Sequence, residues 1–268
     1  MGRSGKKLIL LKIGTNTLTK ETNFISRGKI EDIGRQISEL SDQYEFIIVS
    51  SGAIAVAKQF VNLESQGKEI NVKQALAAIG QPHLMRIFQE NFRELGLLTS
   101  QCLLSYNDFE RVKSRENIVS TINVLIENNY IPIINENDTV STDEIQFGDN
   151  DKLAALTALL LEVDLVIFAS NTNGIYTKDS IANNKKETIK KVEDVAKLKK
   201  EVSDMKSSQG SGGMQSKIDA AELLQQNNIE TWLVNGLEDN FILNAMADKV
   251  EFTRIINSPL DPDSYRKG

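Results

Sequence analysis

Lys12 stands inside the apolar run LILLKI (8 to 13), with Leu11 before it and Ile13 after it. Buried without a partner, its ammonium would cost several kcal/mol, so it either meets an anion or lies on an edge strand facing water. A second lysine, Lys217, closes the segment SSQGSGGMQSK (207 to 217), which leads into the amphipathic stretch from Ile218 to Leu224. Glycines there let the backbone come close to a ligand, the free N–H groups of a helix start attract anions, and the lysine adds a full charge. This is a phosphate cradle by composition. It lacks the Walker A spacing and no GxGxxG fingerprint occurs elsewhere, so taken alone such a loop is more often a plain linker.

The third group is NENDTVSTDEIQFGDNDK (135 to 152), where Glu136, Asp138, Asp143, Glu144, Asp149 and Asp151 crowd together. Such density suits a cation, either a metal ion or an amino group. The calcium-loop template is not met, because the glycine precedes the acidic triplet instead of following its first members. Asp151 also fits an ordinary first-turn acid of the helix after it. Two lysines, a Gly-rich loop and a carboxylate cluster together describe phosphoryl transfer, in which positioning and charge neutralisation do most of the work. An acceptor that is itself a carboxylate is ionised at neutral pH and needs no general base.

That chemistry suits the composition. The 268 residues include one histidine, His83, and one cysteine, Cys102, with a net charge of −6. A disulfide within the chain is excluded, as is a His- or Cys-rich zinc site, and a Ser-His-Asp triad survives only if His83 is its base. His83, after Pro82 at a helix start, and Cys102, between apolar residues of a strand, both read as structural. The acidic balance argues against a broad nucleic-acid surface, and the Lys-rich stretch from 185 to 206 is threaded with acids like a solvated helix. Short apolar runs and the lack of a cleavage pattern give no membrane segment and predict a cytoplasmic protein.

The elements that must position these residues alternate. LILLKI (8 to 13), FIIVS (46 to 50), LLTSQCLL (97 to 104), YIPIIN (130 to 135), DLVIFAS (164 to 170) and IETWLV (229 to 234) read as buried strands. Helical spacing holds Ile30, Ile33, Ile37 and Leu40, then Leu84 to Leu95 behind Pro82, then Ile118, Ile122 and Leu125, then Ala154 to Leu161. The expectation is an α/β three-layer sandwich, a central and mostly parallel sheet flanked by helices. Ligands of such sheets bind where loops leave the carboxyl ends of strands. Gly14 to Asn16, Ser51 and Gly52, Asn135 to Asp138, and Ser170 and Asn171 all fall there. One domain over residues 1–254 is predicted, with 255–268 a disordered or added tail and 176–216 a polar excursion over the site.

At these residues the sequence resembles the amino-acid kinase family. The matching stretches are KIGTNTLT, VSSGAIA (49 to 55), KQALAAIGQ (73 to 81), IPIINENDTVSTDEIQFGDNDKLAAL (131 to 156), NGIYTKD (173 to 179) and GSGGMQSK (210 to 217). NENDTV followed by GDND is the most specific of them. The resemblance implies ATP-dependent, Mg²⁺-assisted phosphorylation of the L-glutamate γ-carboxylate to glutamyl 5-phosphate, the first step of proline synthesis. It makes Lys12, Lys217 and Asp151 catalytic, the aspartate holding the lysines. It assigns Lys12, Gly14, Ser170, Asn171, Ser211, Gly212, Gly213, Met214, Gln215, Ser216 and Lys217 to ATP. Ser51, Gly52, Ala53, Asn135, Asp138 and Asn150 fall to the amino acid, with Asp138 and Glu136 answering its ammonium, and no protein-built metal site is assigned. Family members commonly carry Thr-Asp where Ser170-Asn171 stands, and many continue into a C-terminal RNA-binding-type PUA module that this sequence does not reach. Feedback by proline and a homo-oligomeric state, dimer or tetramer, are further implications. Acetylglutamate, aspartate, carbamate or nucleoside monophosphate kinases of the same fold, or a non-catalytic metabolite sensor, are the alternatives.

Overall fold

The computed structural model describes residues 5–20, 22, 24–63, 69–140, 150–177, 187–203 and 212–256. The strands are β1 (Lys7–Ile13), β2 (Tyr44–Ser50), β3 (Leu98–Leu104), β4 (Tyr130–Glu136), β5 (Leu165–Ser170), β6 (Lys191–Val192), β7 (Glu230–Asn235) and β8 (Thr253–Ile255). The helices are α1 (Thr15–Thr19), α2 (Arg27–Leu40), α3 (Ala53–Ala57), α4 (Glu69–Glu94), α5 (Tyr106–Glu110), α6 (Val112–Glu127), α7 (Asp151–Leu160), α8 (Val195–Ser203), α9 (Gly212–Gln226) and α10 (Phe241–Met246).

Among the described residues the strands form one sheet in the order β3-β4-β2-β1-β5-β7-β8-β6. Every pairing is parallel except that of β7 with β8. Side chains alternate between the two faces of a strand, so β1 feeds two cores at once. Ile9, Leu11 and Ile13 pack with α2, α4 and α10 through Ile30, Ile33, Phe88 and Phe241, all fully or almost fully buried. Leu8 and Leu10 face the other way, toward Leu153 and Ala154 of α7 and Ile218 and Leu224 of α9. This is the three-layer sandwich, and the six apolar runs are six of its strands.

Three expectations need correction. Pro82 does not start a helix; it lies within the 26-residue α4. Two residues before it, Gly80 lies so close to α3 that a Cβ there would fall 1.8 Å from the Ala53 carbonyl oxygen. LLTSQCLL is a strand but not a buried one, because β3 is the sheet edge and only Leu104 in it is buried. Cys102 is accordingly half-buried, with burial pushing its thiol up, away from the reactive thiolate. Ile255, grouped with the tail, is the fully buried last residue of β8, paired with Thr231 and Val192. The tail from residue 257 onward lies outside the described residues, as do 178–186 and 204–211 of the predicted excursion.

Candidate active site

β1 is central, with Lys12 in register between Val49 of β2 and Phe168 of β5. The edge-strand reading of Lys12 therefore fails, and its side chain is buried. The anion it requires is Asp151: Lys12 Nζ lies 2.6 Å from Asp151 Oδ1. The other carboxylate oxygen, Oδ2, receives Lys217 Nζ at 3.0 Å and the Ser216 hydroxyl at 2.7 Å. One carboxylate, brought by the first residue of α7, thus joins a lysine from β1 to a lysine from α9. Burial by itself pushes the Asp151 carboxyl up, but Lys12 and Lys217, aided by the hydrogen bonds from Lys12 and Ser216, outweigh it and hold the group below its usual range. The helix start beneath the carboxylate favours the same ionised form. Two cations against one anion leave a local excess of positive charge at the carboxyl end of β1.

Space for an anion is open beside this centre. A Cβ added at Gly14 would meet only Lys12 Nζ, at 3.6 Å, so the glycine sets no side chain against that ammonium. Across the gap, Gly212 and Gly213 open α9, and Lys217 Nζ donates to the Gly213 carbonyl at 3.1 Å, with the Ser216 hydroxyl oxygen at the same distance from it. The Gly-rich segment is therefore a helix start and not a plain linker over the part described; Ser211 lies outside the described residues. Met214 packs against the core cluster, and the Gln215 amide donates to Asp219 at 2.9 Å, along its own helix.

A second group surrounds the carboxyl ends of β2 and β4. The Ser51 amide donates to the Ile13 carbonyl at 3.1 Å, fastening the start of α3 to β1. Gly52 is left-handed at φ 108°, a conformation that suits glycine and turns the chain sharply into α3 at Ala53. The Asn150 side-chain amide donates to the Ser50 carbonyl and to Asn135 Oδ1, each at 2.7 Å. An asparagine preceding a helix ordinarily caps it, yet Asn150 makes no side-chain cap to α7. Ser51 Oγ, Asp138 Oδ1 and Asn150 Oδ1 are buried with no partner among the described residues. Buried polar atoms are nearly always satisfied, so three orphans around two adjacent strand ends call for a ligand. Burial, with Glu136 beside it, pushes the Asp138 carboxyl up to about 7.

Consecutive residues, Asn150 and Asp151, join this polar pocket to the two lysines. Ser170 and Asn171 stand at the end of β5 but are not drawn into the lysine centre: the Ser170 hydroxyl pairs with the Thr172 hydroxyl at 3.3 Å, and Asn171 is exposed. Asp143, Glu144 and Asp149 lie outside the described residues. His83 is spent on packing, its ring 4.6 Å from that of Phe60. Among the described residues there is no group of three or more His, Cys, Asp or Glu side chains able to hold a metal ion. Asp151, the carboxylate nearest the lysines, is committed to them. Gln81 escaped the sequence reading: its side chain, on α4, accepts from the Asn135 amide at 2.8 Å. Its signal was a polar residue on the buried stripe of Ala77, Gly80 and Leu84.

A mostly parallel sheet whose carboxyl ends gather lysines, one bridging carboxylate and a glycine-opened helix has the build of a small-molecule phosphotransferase. The chain belongs to the amino acid kinase family, whose sequence pattern matches residues 7–235. It is 39% identical over 261 residues to the glutamate 5-kinase of Thermoanaerobacter pseudethanolicus, covering 97% of this chain and 70% of that one. It is 35% identical over 246 residues to the glutamate 5-kinase of Clostridium perfringens, covering 90% of this chain and 91% of that one. In solved structures, the fold resembles carbamate kinase from Giardia lamblia bound to AMP-PNP, with TM-score 0.66, 16% identity and 96% and 100% of the two chains covered. UMP kinase from Ureaplasma parvum gives 0.63 at 19% identity, covering 94% and 99%. At those identities the structures speak for the fold alone.

Proposed function

We propose that this chain transfers the γ-phosphoryl group of ATP to the γ-carboxylate of L-glutamate, the glutamate 5-kinase reaction that opens proline synthesis. The observation that carries the proposal is the Lys12-Asp151-Lys217 bridge beside a buried pocket with orphaned acceptors. An amino acid with a carboxylate at each end and an ammonium at one of them matches this asymmetry. Its ammonium faces Asp138, Asn150 and Ser51, while its γ-carboxylate, repelled by Asp138 and Glu136, turns toward Lys12. A γ-carboxylate oxygen then attacks the γ-phosphorus, the bond to the bridging oxygen breaks, and ADP leaves. The acceptor is already ionised, so no general base is needed, and the paucity of imidazole and thiol is no handicap. Lys12 and Lys217 neutralise charge on the transferring group, and Asp151 holds both ammoniums at fixed separation.

ATP occupies the α9 start, with Gly14, Gly212, Gly213 and Lys217 near the phosphates, and Ser170 and Asn171 further along. Mg²⁺ carried by the ATP phosphates would supply counter-charge there. The reaction is assigned to the cytoplasm; among the described residues no helix is long and apolar enough to cross a membrane. Inhibition by proline at the amino-acid pocket and a homo-oligomer, dimer or tetramer, complete the reading. The test is an assay with ATP, Mg²⁺, glutamate and hydroxylamine. γ-Glutamyl hydroxamate should form, and a yield no greater than that of Lys217→Ala would sink the proposal. Repeating the assay with proline tests the feedback.

A further inference from the structure

Four side-chain amides run in series from the molecular surface to the pocket. Gln101, on the exposed edge strand β3, accepts at Oε1 from Gln81 Nε2 at 3.1 Å. Gln81 Oε1 accepts from Asn135 Nδ2 at 2.8 Å, and Asn135 Oδ1 accepts from Asn150 Nδ2 at 2.7 Å. Every link points the same way. Asn135 Oδ1 also receives the Glu136 backbone N–H at 3.0 Å, and Asn150 Nδ2 gives its other hydrogen to the Ser50 carbonyl. Turning Asn150 over would set its oxygen against two acceptors, so the series leaves Oδ1 as the end that faces outward. That oxygen is buried and has no partner among the described residues. The Glu136 N–H and the Ser50 carbonyl set the direction of the series, and Gln81, buried like Asn135 and Asn150, keeps Asn135 in place by accepting its hydrogen; reversed, it would present a donor to the Asn135 donor.

We infer that Gln81 is a positioning residue for the amino-acid substrate, holding Asn135 in the place from which it supports Asn150 as Asn150 offers an acceptor oxygen to the substrate ammonium. The inference rests on the glutamate reading of this pocket and adds to it a residue that touches neither substrate nor phosphate. It concerns binding of the amino acid and not the transfer step, so it separates the kinetic parameters. Gln81→Met, similar in volume but unable to accept, should raise KM for glutamate about tenfold, the worth of one buried hydrogen bond, with kcat and KM for ATP within about twofold of wild type.

Gln101 offers a control that leaves the interior packing intact. Gln101→Lys turns the outermost acceptor into a donor and should raise the glutamate KM about threefold or more, whereas Gln101→Glu keeps the acceptor and should leave it within about twofold. Thermal melting first shows which variants fold. A folded Gln81→Met with unchanged glutamate KM, or with kcat and ATP KM falling in step with it, overturns the inference. Should Gln81→Met fail to fold, the contrast between Gln101→Lys and Gln101→Glu decides, and no contrast overturns it. A wild-type protein that forms no γ-glutamyl hydroxamate overturns the glutamate reading itself, and the inference falls with it.

Discussion

Lys12 and Asp138 are both charged residues in places where water is scarce, and they resolve the problem differently. Lys12 is paired at once, so its ammonium stays available for an anion. Asp138 has Glu136 as its neighbour, and burial pushes its carboxyl up to about 7. An ionised Asp138 is what an ammonium needs, so kcat/KM for glutamate should rise with pH through about 7 and level off above it. Asp138→Asn should lose that inflection and bind glutamate more weakly, as a pH series of initial rates would show. The stability sign is opposite. Because the folded state holds this proton more tightly than the unfolded chain, stability contributed by protonated Asp138 is lost as pH rises from about 4 through about 7. In the absence of substrate, Asp138→Asn should therefore melt higher than wild type at pH 8 and show little difference at pH 4. For the lysines, Lys12→Met and Lys217→Ala should each lower kcat by about two to four orders of magnitude, a range set by loss of one transition-state contact, with circular dichroism unchanged. Asp151→Asn is different in kind: it leaves two cations facing each other, one buried, and should cost about 3–5 kcal/mol in chemical denaturation as well as activity.

At the scale of elements, the site depends on close approach between helices and strand ends. α3 can present Ser51 and Gly52 only because α4 packs tightly on it at Gly80. Gly80→Ala would drive a methyl group into the Ala53 carbonyl, so it should destabilise the fold by about 2 kcal/mol or more and raise the glutamate KM, read by urea melts and rates together. A second fully buried lysine, Lys29 on α2, makes a useful contrast. It donates to the Glu238 carbonyl at 2.7 Å and lies 3.3 Å from Asp239 and 3.4 Å from Asp32, tying α2 to the turn before α10. Its partners are all of the scaffold. Lys29→Met should lower stability by about 1–2 kcal/mol while leaving kcat unchanged. Nothing in the spacing of α2 separates Lys29 from a solvated helical lysine, whereas Lys12, inside an unbroken apolar strand, announced itself.

The molecule as a whole carries a net charge of −6, which repels both ATP and glutamate. Attraction must come from the local excess at Lys12 and Lys217 and from the α9 start, a short-range field that salt screens weakly once the ligand is seated. The same sheet also carries carbamate and UMP kinases, so the fold does not choose the acceptor. In the proposed reading that choice lies with the pocket around β2 and β4. ADP release measured with glutamate, acetylglutamate, aspartate, carbamate and UMP should be largest for glutamate, because it pairs an ammonium for Asp138 with a side-chain carboxylate for Lys12.

The alternation of strands and helices, the parallel sheet and the strand-end placement of the polar residues were legible in the sequence, because apolar periodicity reports burial directly. Lys12 was legible only as a choice between a buried anion partner and an edge strand facing water, and the central place of β1 made that choice. The tertiary structure alone decided that Asp151 is the anion, since it stands 139 positions along the chain and only the meeting of β1, α7 and α9 makes it a neighbour of both lysines. It also decided that Pro82 sits within a helix, that β3 is an edge, and that Gln81 reaches Asn135. Hydrogen bonds between side chains on different elements leave no period in the sequence; they exist only once packing has set the distances.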